Sequence, residues 1–252
     1  MTKQEALYKY LLQLGDNALI QSHRLSEWCS RGPILEEDLA LTNIALDYIG
    51  RAQNLLHYAG EVEGKGRTAD DLAYRRPEHQ YYNNLIAEMP KGDFAYTIAK
   101  QLFISTFEFL LYTELCHSKD ETIAAIAGKA IKEVRYHWTH SRDWCYRLGK
   151  GTAFSNDKLQ HAVNDLWMYT GEQFETSAEE DLLQKEGIGV DGSSLKSKWL
   201  DMVNAVLLAS NIVTPAAGYM QTGGRKGVHT ENLGHILSEM QYLQRAYPDA
   251  TW

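Results

Sequence analysis

The sequence predicts an all-α protein on two observations. Apolar residues recur at spacings of three, four and seven nearly throughout. No stretch shows a convincing period of two, and only five prolines interrupt 252 residues. Two pairs of long helical segments are each closed by a short turn, and an irregular connection of roughly 30 residues links the pairs. Short turns make neighbours antiparallel, and one long crossover between two such pairs is the ferritin-like form of the four-helix bundle. The expected architecture is therefore one domain over residues 1–252. Its bundle would span about residues 3–149, with accessory helices over about 155–247.

Leu7, Leu11, Leu14, Ala18, Leu25 and Trp28 draw one apolar stripe along residues 3–30. Gly15-Asp16-Asn17 lies inside that stripe as a candidate kink, which would divide the helix in two. Pro33 breaks the chain. Glu36, Glu37 and Asp38 then crowd the first turn of a second helix, where the helix dipole favours acids. That helix carries Leu39, Leu46, Ile49 and Leu56 and stops near Gly60. Glycines and prolines mark 60–92 as the irregular crossover. Asp93 is the expected N-cap of a third long helix, ending near Ser118. Ser118-Lys-Asp-Glu121 reads as a capping box opening a fourth, which runs through Val134, Trp138 and Cys145 until Gly149 and Gly151. Three further helices are expected over 156–175, 193–212 and 231–246.

With 25 Lys+Arg against 33 Asp+Glu, the net charge of −8 disfavours a general nucleic-acid binder. The N-terminus lacks a signal-peptide layout and the most apolar stretch, Val203–Val213, is too short to span a bilayer. Cys29, Cys116 and Cys145 are odd in number and unsuitably spaced for a zinc knuckle. Buried, reduced thiols in a cytoplasmic protein are the expectation.

A bundle with one crossover raises the question of a carboxylate-bridged di-metal centre. Such a site takes a Glu from each of two helices and a Glu-x-x-His from each of the other two. Only Glu114-x-x-His117 has that spacing, and with nine His and 19 Glu about 0.7 such matches arise by chance. It also falls in the last turn of its helix, away from mid-bundle. The middles of the second and fourth helices instead hold Asp47-Tyr-Ile-Gly-Arg51 and Glu133-Val-Arg-Tyr-His137. Each puts an acid at i and a base at i+4, with Gly50 and Tyr136 where the His of a Glu-x-x-His motif would stand. If Asp47 and Arg51 face the core, the guanidinium supplies positive charge where a relative would hold metal. The alternative is a pair of surface i,i+4 contacts worth a few tenths of a kcal/mol. Asp47, Arg51, Glu133, Tyr136 and His137 are thus candidate degenerate di-iron positions. No catalytic or metal-ligating residue is assigned.

Several stretches together are similar to one family. They are Leu14-Gly-Asp-Asn17 with Leu25-Ser-Glu-Trp-Cys29, Asp38-Leu-Ala-Leu-Thr-Asn-Ile-Ala-Leu-Asp47, and Ala130-Ile-Lys-Glu-Val-Arg-Tyr-His137. The tail adds Thr222-Gly-Gly-Arg-Lys-Gly-Val-His-Thr-Glu231 and Glu239-Met-Gln-Tyr-Leu-Gln-Arg245. From about residue 8 to Trp252 the chain resembles the C subunits of bacterial phenylacetyl-CoA 1,2-epoxidase complexes of aerobic phenylacetate catabolism. The resemblance implies a ferritin-like structural subunit without its own di-iron centre or other cofactor. It also implies a homologous catalytic A subunit that holds the di-iron and binds phenylacetyl-CoA, a small B subunit, and a reductase with FAD and an iron–sulfur centre. That complex is NADPH- and O₂-dependent and epoxidises the aromatic ring. Neither nucleic acid nor membrane enters as a partner.

The loop Gly223-Gly-Arg-Lys-Gly227 has two readings. Arg225 and Lys226 reach a CoA phosphate or an acidic patch on a partner, or the loop is a hinge with Thr230 or Glu231 capping the next helix. The rival to the subunit reading is a self-sufficient ferritin-like di-iron oxidase or iron-binding protein. It would need Asp38, Asp47, Glu108, Glu114 and Glu133 to converge with His117 and His137. A helical binding module with no oxygenase partner is a third possibility. A subunit should also place part of its six Trp and 15 Tyr on a large interface.

Overall fold

The computed structural model describes residues 1–248 and 250. Those residues form eleven α-helices joined by turns and four short 3₁₀ segments, with no strand among them. The bundle consists of α1 (Lys3–Ser26) and α2 (Leu35–Glu63), followed across the crossover by α5 (Phe94–Leu115) and α6 (Glu121–Lys150). The crossover carries two short helices, α3 (Ala69–Tyr74) and α4 (Leu85–Glu88). After the bundle come α7 (Ala153–Trp167), α8 (Ala178–Lys185), α9 (Lys196–Ala209), α10 (Glu231–Met240) and α11 (Tyr242–Ala246). This is the all-α, ferritin-like arrangement that the periodicity predicts. No helix among the described residues is long and apolar enough to cross a membrane.

The first helix is not divided at Gly15-Asp16-Asn17. Each of these residues has a packing task that outweighs its low helix propensity. A Cβ on Gly15 would lie 2.8 Å from Leu56 Cδ2, so glycine lets α1 and α2 approach closely. Asp16 is fully buried and pairs with Arg76, whose Nη1 is 3.0 Å from Oδ2, while the Tyr82 amide donates to the same oxygen at 2.9 Å. Asn17 accepts the Asn84 amide at 2.9 Å. The apparent helix breakers therefore tie the crossover to the bundle.

Asp93 caps α5 as expected, accepting the Tyr96 amide at 2.9 Å. The capping box expected at Ser118 does not form. Asp120 caps α6 by accepting the Ile123 amide at 3.0 Å, and the Ser118 hydroxyl instead donates to the Ile188 carbonyl at 2.8 Å. The expected helix over 156–175 ends at Trp167, and that over 231–246 is split at Gln241. Helix α8 has no counterpart in the sequence pattern; its eight residues are too few to establish a period. The thiols are not uniformly buried: Cys145 is, Cys116 is intermediate and Cys29 is exposed.

The buried apolar side chains of α1 through α10 form one contiguous cluster. Helices α7 and α9 pack on α5 and α6, α8 packs on α1, and α3 packs on α2. They leave one face of α2 open. Leu35, Leu39 and Leu46 are 71%, 55% and 60% exposed. With Asn43 and Gly50 they form an uncharged stripe extending about 22 Å along the helix.

Candidate functional site

The mid-bundle positions converge on Arg51, although not through the pairs that the spacing suggested. Arg51 is 3% exposed, and its Nη1 lies 3.1 Å from Glu108 Oε2 on α5. Asp47, expected as its i,i+4 partner, turns to the edge of the bundle and meets His137 Nε2 at 3.0 Å. Each acid–base contact thus runs between helices.

The guanidinium lies between two phenol rings, 4.8 Å from the centroids of both Tyr48 and Tyr112. The Tyr48 hydroxyl donates to Glu108 Oε2 at 2.8 Å. Arg51 and Glu108 stand at ion-pair distance without hydrogen-bond alignment, and the guanidinium nitrogens have no hydrogen-bond partner among the described residues. Burial disfavours the charge on Arg51, but Glu108 and the tyrosines outweigh it and raise the pKa above its usual range. Burial pushes the Tyr48 and Tyr112 phenols up, Tyr112 to about 12, so both stay protonated.

His137 is fully buried and packs its ring 5.1 Å from that of Tyr48. Burial lowers its pKa despite the contact with Asp47. Neutral at pH 7, it donates Nε2–H to the carboxylate, leaving Nδ1 without a partner among the described residues. Glu133 is half-buried, its pKa raised first by desolvation and then by Asp47. Tyr136 is 49% exposed and faces away from the core, with its ring 6.0 Å from that of His140. His140 in turn meets Glu37 at 2.8 Å. Of the acids that a self-sufficient oxidase would gather, Asp38 accepts the Gly32 amide at 2.9 Å in the loop before α2. Glu114 is exposed at the end of α5, with His117 exposed just beyond it.

This donor set does not fit a di-iron centre. Glu108 and Asp47 are bound to Arg51 and His137 respectively, and a fixed cation occupies the space between α2 and α5. Two further metal cations there would be repelled by the guanidinium and would have to displace it from Glu108.

The basic loop after α9 folds inward. Glu172, fully buried, accepts the amides of Leu85, Gly223 and Arg225 at 2.7, 2.8 and 3.3 Å. Burial raises its pKa while the three N–H groups pull it back. Arg225 is engaged inside the protein by Glu180 and the Glu175 carbonyl, so it is not free to reach a ligand phosphate. Lys226 is 72% exposed, with Glu175 4.0 Å away. Gly227 has φ of 78°, and a side chain there would overlap the His79 carbonyl, so glycine is required.

Two buried groups have no signal in the sequence pattern. His229 contacts Glu88 at 2.9 Å through Nδ1 and the Tyr81 carbonyl at 2.9 Å through Nε2. Thr230 caps α10 while its hydroxyl donates to the same Glu88 at 2.8 Å. Lys100 donates to the Met89 carbonyl at 2.8 Å, and burial lowers its pKa to about 7. Both rest on contacts with the crossover, which no local pattern announces.

Fold and site together define a ferritin-like helical bundle whose core carries an arginine–glutamate pair flanked by two tyrosines. The chain matches a family model described as phenylacetic acid catabolic protein over residues 1–252 and belongs to that family. It is also similar to the C subunit of 1,2-phenylacetyl-CoA epoxidase from Escherichia coli (strain K12). The two are 48% identical over 246 residues, covering 98% of this chain and 99% of the relative.

Proposed function

We propose that this chain is the structural, non-catalytic C-type subunit of a phenylacetyl-CoA 1,2-epoxidase. It braces a homologous di-iron A subunit, which binds the CoA thioester, in a complex with a small B subunit and an NADPH-dependent flavin and iron–sulfur reductase. The observation that carries this reading is Arg51, a permanent cation paired with Glu108 at mid-bundle. A core built this way holds its helices in register without offering open coordination positions. The 48% identity to an epoxidase C subunit over nearly both full lengths supports the assignment to that complex.

The uncharged stripe Leu35, Leu39, Asn43, Leu46 and Gly50, with Tyr136 beside it on α6, is the face we assign to the A subunit. Interfaces that stay assembled are depleted in charge at their centre. Tyr136 and leucines, rather than tryptophans, supply the apolar area there; Trp28, Trp167 and Trp199 are buried. Lys226 is the remaining candidate for a CoA or partner contact from the basic loop.

The test is reconstitution. A, B and reductase should convert phenylacetyl-CoA only when this chain is added. A chain carrying Arg51→Met with Glu108→Leu should restore turnover as well as the unaltered chain. Loss of turnover in a complex that still assembles would place essential chemistry in this core and overturn the proposal. Leu39→Asp with Leu46→Asp should abolish co-elution with the A subunit while leaving the helical content of the isolated chain unchanged.

A further inference from the structure

Three buried side chains outside the ion-pair core face a single cavity with polar atoms that no protein group satisfies among the described residues. Tyr10 and Gln13 lie one turn apart on α1, and Asn84 precedes α4; they are 2%, 3% and 8% exposed. Both amide atoms of Gln13, Oδ1 of Asn84 and the Tyr10 hydroxyl have no hydrogen-bond partner there. The Val190 amide is near that hydroxyl, but outside hydrogen-bond geometry. Each such group costs about 1–3 kcal/mol if left dry. Their convergence on one cavity, lined also by Glu108, points to an occupant.

The cavity fixes what that occupant is. Its volume is about 50 Å³. At roughly 10–15 Å³ per water it admits about three to five molecules, whereas a benzene-sized guest needs a cavity of about 150 Å³. Glu180 and Arg225 on its wall neutralise one another, and Glu108 is paired with Arg51. No unpaired charge on that wall remains to offset the desolvation of an ionic guest. Ile86, Ile104, Phe107 and Leu111 close other parts of the wall and offer no hydrogen bonds.

We propose that this cavity is a binding site for a small uncharged hydrogen-bonding guest: a cluster of about three to five waters held by Tyr10, Gln13 and Asn84. The cluster hydrates the cavity-facing side of Glu108, the carboxylate that neutralises Arg51. This site does not depend on which complex the chain joins.

The test combines a high-resolution crystal structure of the full chain with ¹⁷O water relaxation dispersion, which counts long-lived internal waters. Ordered waters bonded to Gln13 and Tyr10 are expected. The Gln13→Leu, Tyr10→Phe double variant should lose at least half of that cluster's dispersion amplitude. Tyr10→Phe alone removes one hydroxyl and no volume, and serves if the double variant fails to fold; it should shorten the water residence time. A dry cavity in the density, or an amplitude and residence time unaffected by Tyr10→Phe, would overturn the proposal.

Discussion

Replacing Arg51 by Met removes the cation from the core and strands Glu108 in the bundle interior, where the Tyr48 hydroxyl remains at 2.8 Å. Stranding one member of a buried pair costs about 3–5 kcal/mol, and the two lost cation–π contacts fall within that range. For a chain of this length, each kcal/mol lowers the melting temperature by about 2–4 °C, so the single variant should melt roughly 6–20 °C lower. Glu108→Leu alone strands Arg51 and should cost a similar amount. The double variant, Arg51→Met with Glu108→Leu, buries no charge and fills a similar volume. It should return to within about 1 kcal/mol of the unaltered chain or exceed it. Scanning calorimetry of the four proteins completes a double-mutant cycle, with an expected coupling of at least about 5 kcal/mol. If Arg51→Met alone shifts stability by less than about 0.5 kcal/mol, or if the two single losses simply add, the pair is not a buried unit and the account of the core is refuted.

Three further outcomes follow from the same contacts. Arg225→Ala strands Glu180 and should destabilise the chain by about 3 kcal/mol, whereas exposed Lys226→Glu should leave the melting temperature unchanged and weaken partner or CoA binding; the reverse pattern would reassign the loop. His137, kept neutral by burial with Asp47, Arg51 and Glu108 around it, contributes stability complete above its ordinary pKa of 6.5 and lost as pH falls through and below it. His229 is opposite: burial opposes its charge, but the Glu88 contact, the Tyr81 carbonyl and the nearby charge of Glu78 raise its pKa, so its contribution is complete below 6.5 and lost as pH rises through the folded-state value. Urea midpoints measured across pH should show His137→Phe flattening the acid limb and His229→Phe the alkaline limb.

Much of the bundle was legible because burial imposes a period on long helices, and caps such as Asp93 and Thr230 act within three residues. Gly15-Asp16-Asn17 misled because its partners, Leu56, Arg76, Tyr82 and Asn84, come from other elements. The site shows the same division. Their mid-helix positions made Arg51 and His137 candidates for the core, but the spacing fitted a surface i,i+4 pair equally. Their true partners could not be read, because Glu108 and Asp47 reach them across helices, and one-turn spacing describes only neighbours on the same helix. The loop of Arg225 kept two readings because Glu172 and Glu180, which draw it inward, lie in a region with no recognisable motif. The Lys100 and His229 contacts are equally invisible, since both meet carbonyls whose positions the fold alone determines.

Under the proposed function this chain braces an oxygenase without holding its metal. The most direct test is the iron content of the full chain, expressed alone in iron-rich medium, desalted and analysed by plasma mass spectrometry. Iron near zero per chain is the predicted result. A value close to two per chain, retained after chelation and lost with Glu108→Ala, would contradict the account and make this bundle an oxidase in its own right.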